Sequence, residues 1–241
     1  MVPVAALGVV IAVTLLLVTA ALATQTKQVI VAPQSELSIV PVSPAAKVLP
    51  PSPSGIHASA AWIASTSAST GISPIAVRAY GDASLRLAKD QPGCHVGWTT
   101  LAGIGGIESG HGTTGGVTLL ADGTTSQPIL GPALDGSAGM ATIRSDAEST
   151  RWHGDPQWDH AVGPMQFIPS TWHTWGVDGN GDGIADPNNI SDAAFATARY
   201  LCASGGDMRT GQGWSRAIFS YNHSDDYVRS VLVRANQYAG H

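Results

Sequence analysis

Glu108 is a solitary acid. It ends the glycine-rich apolar run AGIGGIESGHG (residues 102–112), and no other carboxylate lies within ten residues of it on either side. On a helix over 96–109, Leu101, Ile104 and Glu108 fall at i, i+3 and i+7, on one stripe. The pattern therefore puts the carboxyl on the buried face. Burial disfavours the charged form and raises the pKa, and the negative pole at a helix C-terminus pushes the same way. A carboxyl still protonated near neutral pH is what general acid catalysis needs. The other two glutamates, Glu36 and Glu148, sit in polar sequence. The alternative for Glu108 is a half-solvated side chain at a fraying helix end. Gly103, Gly105 and Gly106 each weaken the helix by about 1 kcal/mol relative to Ala, which is tolerable if a neighbour packs closely on the backbone. Gly110 is the expected helix stop.

A two-carboxylate glycosidase site would need a second acid at a defined separation. Asp155 and Asp159 are the available ones, and spacing alone does not place them. A second constellation is DGNGDGIADPNNISD, residues 178–192. Asp178, Asn180 and Asp182 alternate, Gly183 takes the sixth position where calcium loops turn sharply, and Ile184 would offer its carbonyl. The usual closing glutamate at position twelve is replaced by Asn189. Asp192 closes the loop by a longer path, with Asp186 as the alternative. An all-oxygen set favours Ca²⁺ over zinc, with weak affinity suited to millimolar calcium. The competing reading is a polar turn without an ion.

These groups need a frame. The chain has 241 residues, 12% charged, with a net charge of −5 and no run of Lys or Arg. That excludes a coiled coil and argues against nucleic acid as a partner. Residues 2–23 are uncharged and long enough to cross about 30 Å of hydrocarbon. Ala21-Leu22-Ala23 also fits a cleavage site. A cleaved signal and a retained anchor are both open, with a buried helix as the third reading; either exported form puts the rest outside the cytoplasm. Residues 24–70 are rich in Pro, Ser and Ala and read as a disordered tether. Cys94 and Cys202 are the two cysteines. In an exported chain such a pair most simply forms a disulfide, and two separate buried thiols are the alternative.

The domain is expected over 71–241, mainly α. Helices are predicted at 73–90, with Ser73 as cap and Pro74 in the first turn, at 96–109, from Pro169, at 191–205 with Ser191 as cap, and over GWSRAIFSYN and SDDYVRSVLVRANQYA. Residues 113–150 read as a long excursion with a short β-hairpin around VTLLADGTTSQPIL, and insertions of this length often carry function.

In order along the chain stand GIESGHG, AVGPMQFIPSTW, DGNGDGIADPNN and the Tyr-Asn of FSYNHSDDYV. Together they resemble the lytic murein transglycosylases, specifically the lysozyme-like domain of the membrane-bound type B enzymes and their actinobacterial relatives. The resemblance runs from about Gly71 to the C-terminus. It implies a goose-type, lysozyme-like helical fold and cleavage of the β-1,4 bond between N-acetylmuramic acid and N-acetylglucosamine of peptidoglycan by a single glutamate, Glu108. It implies that Ser109 hydrogen-bonds near the sugar, with a helix C-cap role as the alternative. Gly163 would admit a sugar closely and Gln166 would bond an N-acetyl group. Met165 and Phe167 would line the cleft or pack in the core. Tyr221 would sit beside the glutamate, with Asn222 near substrate or backbone, and Tyr227 is a further contact. Some type B enzymes carry a similar calcium loop. His111 reads as a solvated loop residue. The expected partners are glycan strands, with no catalytic cofactor and the chain acting as a monomer. A hydrolytic muramidase using Asp155 or Asp159, and a silent wall-binding domain, are the competing readings.

Overall fold

The computed structural model describes residues 56–137 and 140–240. The signal or anchor expected at 1–23, and the tether up to residue 55, lie outside the described residues. No helix among the described residues is long and apolar enough to cross a membrane.

The described chain is mainly α. Helix α1 (Ala60–Thr70) is followed by α2 (Pro74–Asp90) and α3 (Trp98–Ser109). The excursion then contributes β1 (Leu130–Ala133), α4 (Ser149–His153) and β2 (His160–Val162). Helices α5 (Pro169–Trp175), α6 (Ile190–Gly205), α7 (Gly211–Tyr221) and α8 (Asp225–Ala239) complete it. Strands β1 and β2 pair antiparallel, Leu130 with Val162 and Ala133 with His160. The turn at 120–124 is closed by an isolated bridge, Leu119 with Thr125.

Helix α1 corrects the expected tether, whose C-terminal part is ordered. Ser59 caps its N-terminus and Gly71 its C-terminus. Trp62 meets Trp98 edge-on, centroids 5.4 Å apart, and presses so close to Gly81 that a Cβ there would collide with its ring. A Ser/Thr-rich segment of low helix propensity is held by one aromatic anchor and two caps.

Ser73 caps α2 as expected. The cap of α6 is Asn189, whose Oδ1 accepts from the Ser191 N–H, two residues ahead of the expected helix boundary. Apolar α6, with Ile190, Ala193, Ala194, Ala198 and Leu201 fully buried, packs against α2 and α7, while α3 packs on α8. Gly103 makes the second packing tight: a Cβ there would lie 3.1 Å from the Val231 carbonyl. Cys94 and Cys202 are bonded, Cα atoms 5.5 Å apart and 108 residues apart in sequence. This ties the segment before α3 to the end of α6. On the chain-entropy model so long a loop stabilises by about 4–5 kcal/mol.

Candidate active site

Glu108 lies in the last turn of α3, which ends where Gly110 adopts φ 58°. Leu101 and Ile104 of its stripe are fully buried, and Glu108 itself is partly buried. Its Oε1 accepts a 2.5 Å hydrogen bond from the Tyr227 hydroxyl, on the first turn of α8. Burial pushes the carboxyl up from 4.5 to about 7, against the Tyr227 bond, which favours the anion. Among the described residues no other acidic side chain bears on its titration. The Tyr227 phenol is pushed far above its ordinary value by burial and then by the Glu108 charge, so it keeps its proton and can donate it to the carboxylate.

The aromatic wall continues into α7. Tyr221 stacks on Tyr227, centroids 6.5 Å apart with planes at 8°, and meets Phe167 edge-on at 6.0 Å. Its hydroxyl donates to the Met165 carbonyl at 2.7 Å and lies 3.3 Å from Thr197 Oγ1. Burial, then the Glu108 charge, raises its pKa.

The GPMQF segment forms a tight turn closed by reciprocal backbone bonds between Val162 and Phe167. Two hydroxyls hold it to the helices, one from Tyr221 and one from Ser109, whose Oγ donates to the Pro164 carbonyl at 2.7 Å. Ser109 also accepts from the Gly112 N–H and is buried. Ser109 takes the structural alternative: its proton clasps the turn at Pro164 and its oxygen caps the end of α3 at Gly112. The expectation for Gly163 is corrected. It has φ 79°, and a Cβ would collide with the Pro187 carbonyl, so packing on Pro187 rather than sugar approach demands glycine. Met165 and Phe167 take the core alternative, being fully and almost fully buried.

Gln166 is the turn residue left facing outward. It holds φ 51°, which non-glycine residues rarely adopt. Its Nε2 donates to the carbonyls of Gly163 at 2.9 Å and Ile129 at 3.2 Å. The amide nitrogen is spent on the scaffold, which leaves the oxygen for a ligand N–H. Asn222 is exposed at the C-cap of α7. Asp155 and Asp159 engage histidines of the excursion: Asp159 Oδ1 lies 3.3 Å from His153 Nε2 and Asp155 Oδ2 lies 3.2 Å from His160 Nε2.

His111 is the residue that sequence reasoning missed. Rather than lying in a solvated loop, its ring bridges two hydroxyls, Nδ1 to Tyr80 at 3.2 Å and Nε2 to Tyr238 at 2.9 Å. Burial, then the Arg234 charge, lowers its pKa to about 4, so the imidazole is neutral. A Cβ at Gly105 would collide with the Tyr80 hydroxyl, and one at Gly106 would lie 3.2 Å from the His111 ring. The α3 glycines make room for this chain of three side chains, which braces the turn carrying Glu108.

In the 178–192 loop, Asp178 accepts from the Gly181 and Gly183 N–H groups. Asp192, fully buried, accepts from Gly179, Asn180 and Asp186. It is Asp192, not Asp186, that ties the two ends together.

Residues 144–219, about a third of the chain, match the family described as the transglycosylase SLT domain. Glu108 precedes the matched segment. No curated protein matches the chain. Among solved structures, lytic transglycosylase Slt35 of Escherichia coli in complex with bulgecin A is 18% identical. That alignment has a TM-score of 0.44 and covers 74% of this chain and 78% of that one. SltB3 of Pseudomonas aeruginosa, in complex with NAG-anhNAM-pentapeptide, is 19% identical at a TM-score of 0.42, over 81% of this chain and 72% of that one. What the comparisons establish is therefore a likeness to the transglycosylase SLT domain over residues 144–219, the segment that carries the GPMQF turn and most of α7.

Proposed function

We propose that the chain cleaves the N-acetylmuramic acid β-1,4 N-acetylglucosamine bond and leaves a 1,6-anhydromuramyl end, with Glu108 as the only catalytic acid and base. Glu108 protonates the leaving glycosidic oxygen as the bond to the anomeric carbon breaks. The substrate's own N-acetyl oxygen stabilises that carbon. The Glu108 carboxylate then takes the proton of the muramyl 6-hydroxyl while O6 bonds to the anomeric carbon, which restores the acid. The observation that carries this reading is a half-buried carboxyl raised to about 7 whose one side-chain partner among the described residues is a tyrosine. A pKa near the working pH suits one group to both proton transfers. The muramidase reading needs a second carboxylate, and Asp155 and Asp159 are occupied by histidines. Gln166 accepts an N–H of an N-acetyl group, and Asn222 contacts the strand from the exposed end of α7. Such a reaction takes place outside the cytoplasm, which fits the exported leader or anchor read at residues 2–23, with the chain acting as a monomer.

The first step needs protonated Glu108, so kcat/KM falls as pH rises through about 7. Tyr227→Phe removes the bond that favours the anion, so its falling limb moves to higher pH, which a pH–rate profile reads. A limb at the same or lower pH would show that Tyr227 does not bear on the acid.

Ca²⁺ in the 178–192 loop is part of the same proposal, as a structural ion. The donor set is all oxygen: Asp178, Asn180, Asp182, the Ile184 carbonyl and Asp192. Burial raises the pKa of Asp192, with the charge of Asp178 adding a smaller push the same way, and a cation would relieve both. Among the described residues no three His, Cys, Asp or Glu side chains converge as a metal group, so the three carboxylates would have to draw together around the ion, with Asn180, Ile184 and water completing the set. Millimolar Ca²⁺ is expected to raise the melting temperature by a few degrees, on the order of 1 kcal/mol. An unchanged melting temperature and no calorimetric heat would remove the ion.

A further inference from the structure

A second feature adjoins the acid. Along α8, Tyr227, Ser230, Arg234 and Gln237 follow one another at spacings of three and four, so they share one face. Tyr227 is the hydrogen-bond partner of Glu108. Beyond it lies a groove of about 500 Å³ lined by Ile107, Arg229, Ser230, Val233, Arg234 and Gln237. Ile107 lies on α3 and the other lining residues on α8, so the two helices that frame the groove are the two that carry Glu108 and Tyr227.

The charge of this groove runs against that of the chain. The net charge is −5, yet the lining holds two arginines and no carboxylate. Arg229 pairs with Asp226. The Arg234 side chain hydrogen-bonds to Tyr238, and its charge bears on neutral groups only, Tyr238 and His111, whose protonated form it disfavours. Ser230 and Gln237 flank it with hydrogen-bonding groups, and Val233, 58% exposed, adds an apolar surface.

We propose that this groove binds the peptide stem of the glycan strand, with Arg234 receiving a stem carboxylate. The proposal rests on the reading of the chain as a peptidoglycan-cleaving enzyme. Length identifies the occupant. Arg234 is seven residues beyond Tyr227, about 10 Å along the helix axis. That separation matches a short peptide running from the sugar at Glu108 along α8. The flat guanidinium suits a carboxylate, and Ser230 and Gln237 can bond the peptide backbone.

The test is steady-state kinetics of the full chain and of Arg234→Glu on soluble glycan strands with intact stems and on strands stripped of stems by an amidase. Stripped strands keep the lactyl carboxylate of the sugar, so the two arms separate the sources of charge. Arg234→Glu should raise the ratio of KM for stem-bearing to stripped strands about fivefold or more, with the change in KM rather than kcat. Arg234→Lys should restore most of it. An unchanged ratio, including an equal rise on both strands, would overturn the proposal. If the unaltered chain cleaves neither strand, the cleavage reading fails, and binding of a free stem tetrapeptide decides this one. Weaker binding by Arg234→Glu than by the unaltered chain supports it, and equal or absent binding by both overturns it.

Discussion

Glu108→Gln is expected to lower kcat on peptidoglycan by about 10³-fold or more, because one side chain serves both proton transfers and each contributes about 10² to 10⁴. The same change is expected to stabilise the fold at pH 8. Folded Glu108 keeps its proton up to about pH 7, whereas the unfolded chain releases it near 4.5. Between those values the folded state holds more protons, so stability falls as pH rises, and the loss is complete above about 7. Gln carries no such charge, and about 2 kcal/mol is recovered at pH 8 after allowance for partial solvation. Thermal melts at pH 4 and pH 8 read this, with the gap between variant and wild type opening at the higher pH. Wild-type turnover in the variant would remove Glu108 from the chemistry. A gap equal at both pH values would show that the carboxyl is not held protonated by burial.

The second large effect is structural. Gly163→Ala is expected to cost about 4 kcal/mol or more, since its Cβ meets the backbone carbonyl of Pro187 and its φ of 79° is unfavourable for any L side chain. For a domain of this size that is roughly 10 °C in melting temperature. Gly154→Ala is the control. It has φ 80° and nothing within 4 Å of its Cβ position, so it bears only the backbone cost of about 1–2 kcal/mol. Equal losses in the two variants would show that the Pro187 contact is soft. Because the GPMQF turn is clasped by Ser109 and Tyr221, the displaced backbone at Gly163 reaches the wall beside Glu108, and activity should fall with stability.

What the sequence made legible follows the range of the interactions. The Leu101–Ile104–Glu108 stripe is a local pattern at helical period: Leu101 and Ile104 are fully buried on it and Glu108 is partly so. The close packing required by Gly103, Gly105 and Gly106 was also foreseeable, though not its agents. Val231 and Tyr80 meet those glycines only through tertiary structure. His111 read as a loop residue because its partners are Tyr80, 31 residues back, and Tyr238, 127 residues ahead. Ser109 and Gly163 were assigned to the sugar by their position in the motifs. The fold uses both to hold the motif segments together, a distinction that needs Pro164 and Pro187 in view. Helix α1 was hidden by composition: AAWIASTSAST has no strong stripe, and Trp62 against Trp98 holds it. The tyrosine pair was accessible in part. Tyr221 came with the resemblance, while Tyr227, the weaker expectation, is the one that touches the acid.

The central claim is that one glutamate suffices because the substrate's own 6-hydroxyl replaces water. Mass spectrometry of peptidoglycan digested by the wild-type chain, with Glu108→Gln beside it, tests this most directly. The account predicts muropeptides ending in 1,6-anhydromuramic acid, one water lighter than hydrolysis products, from the wild type and essentially none from the variant. Products with reducing muramyl ends from the wild type would contradict it.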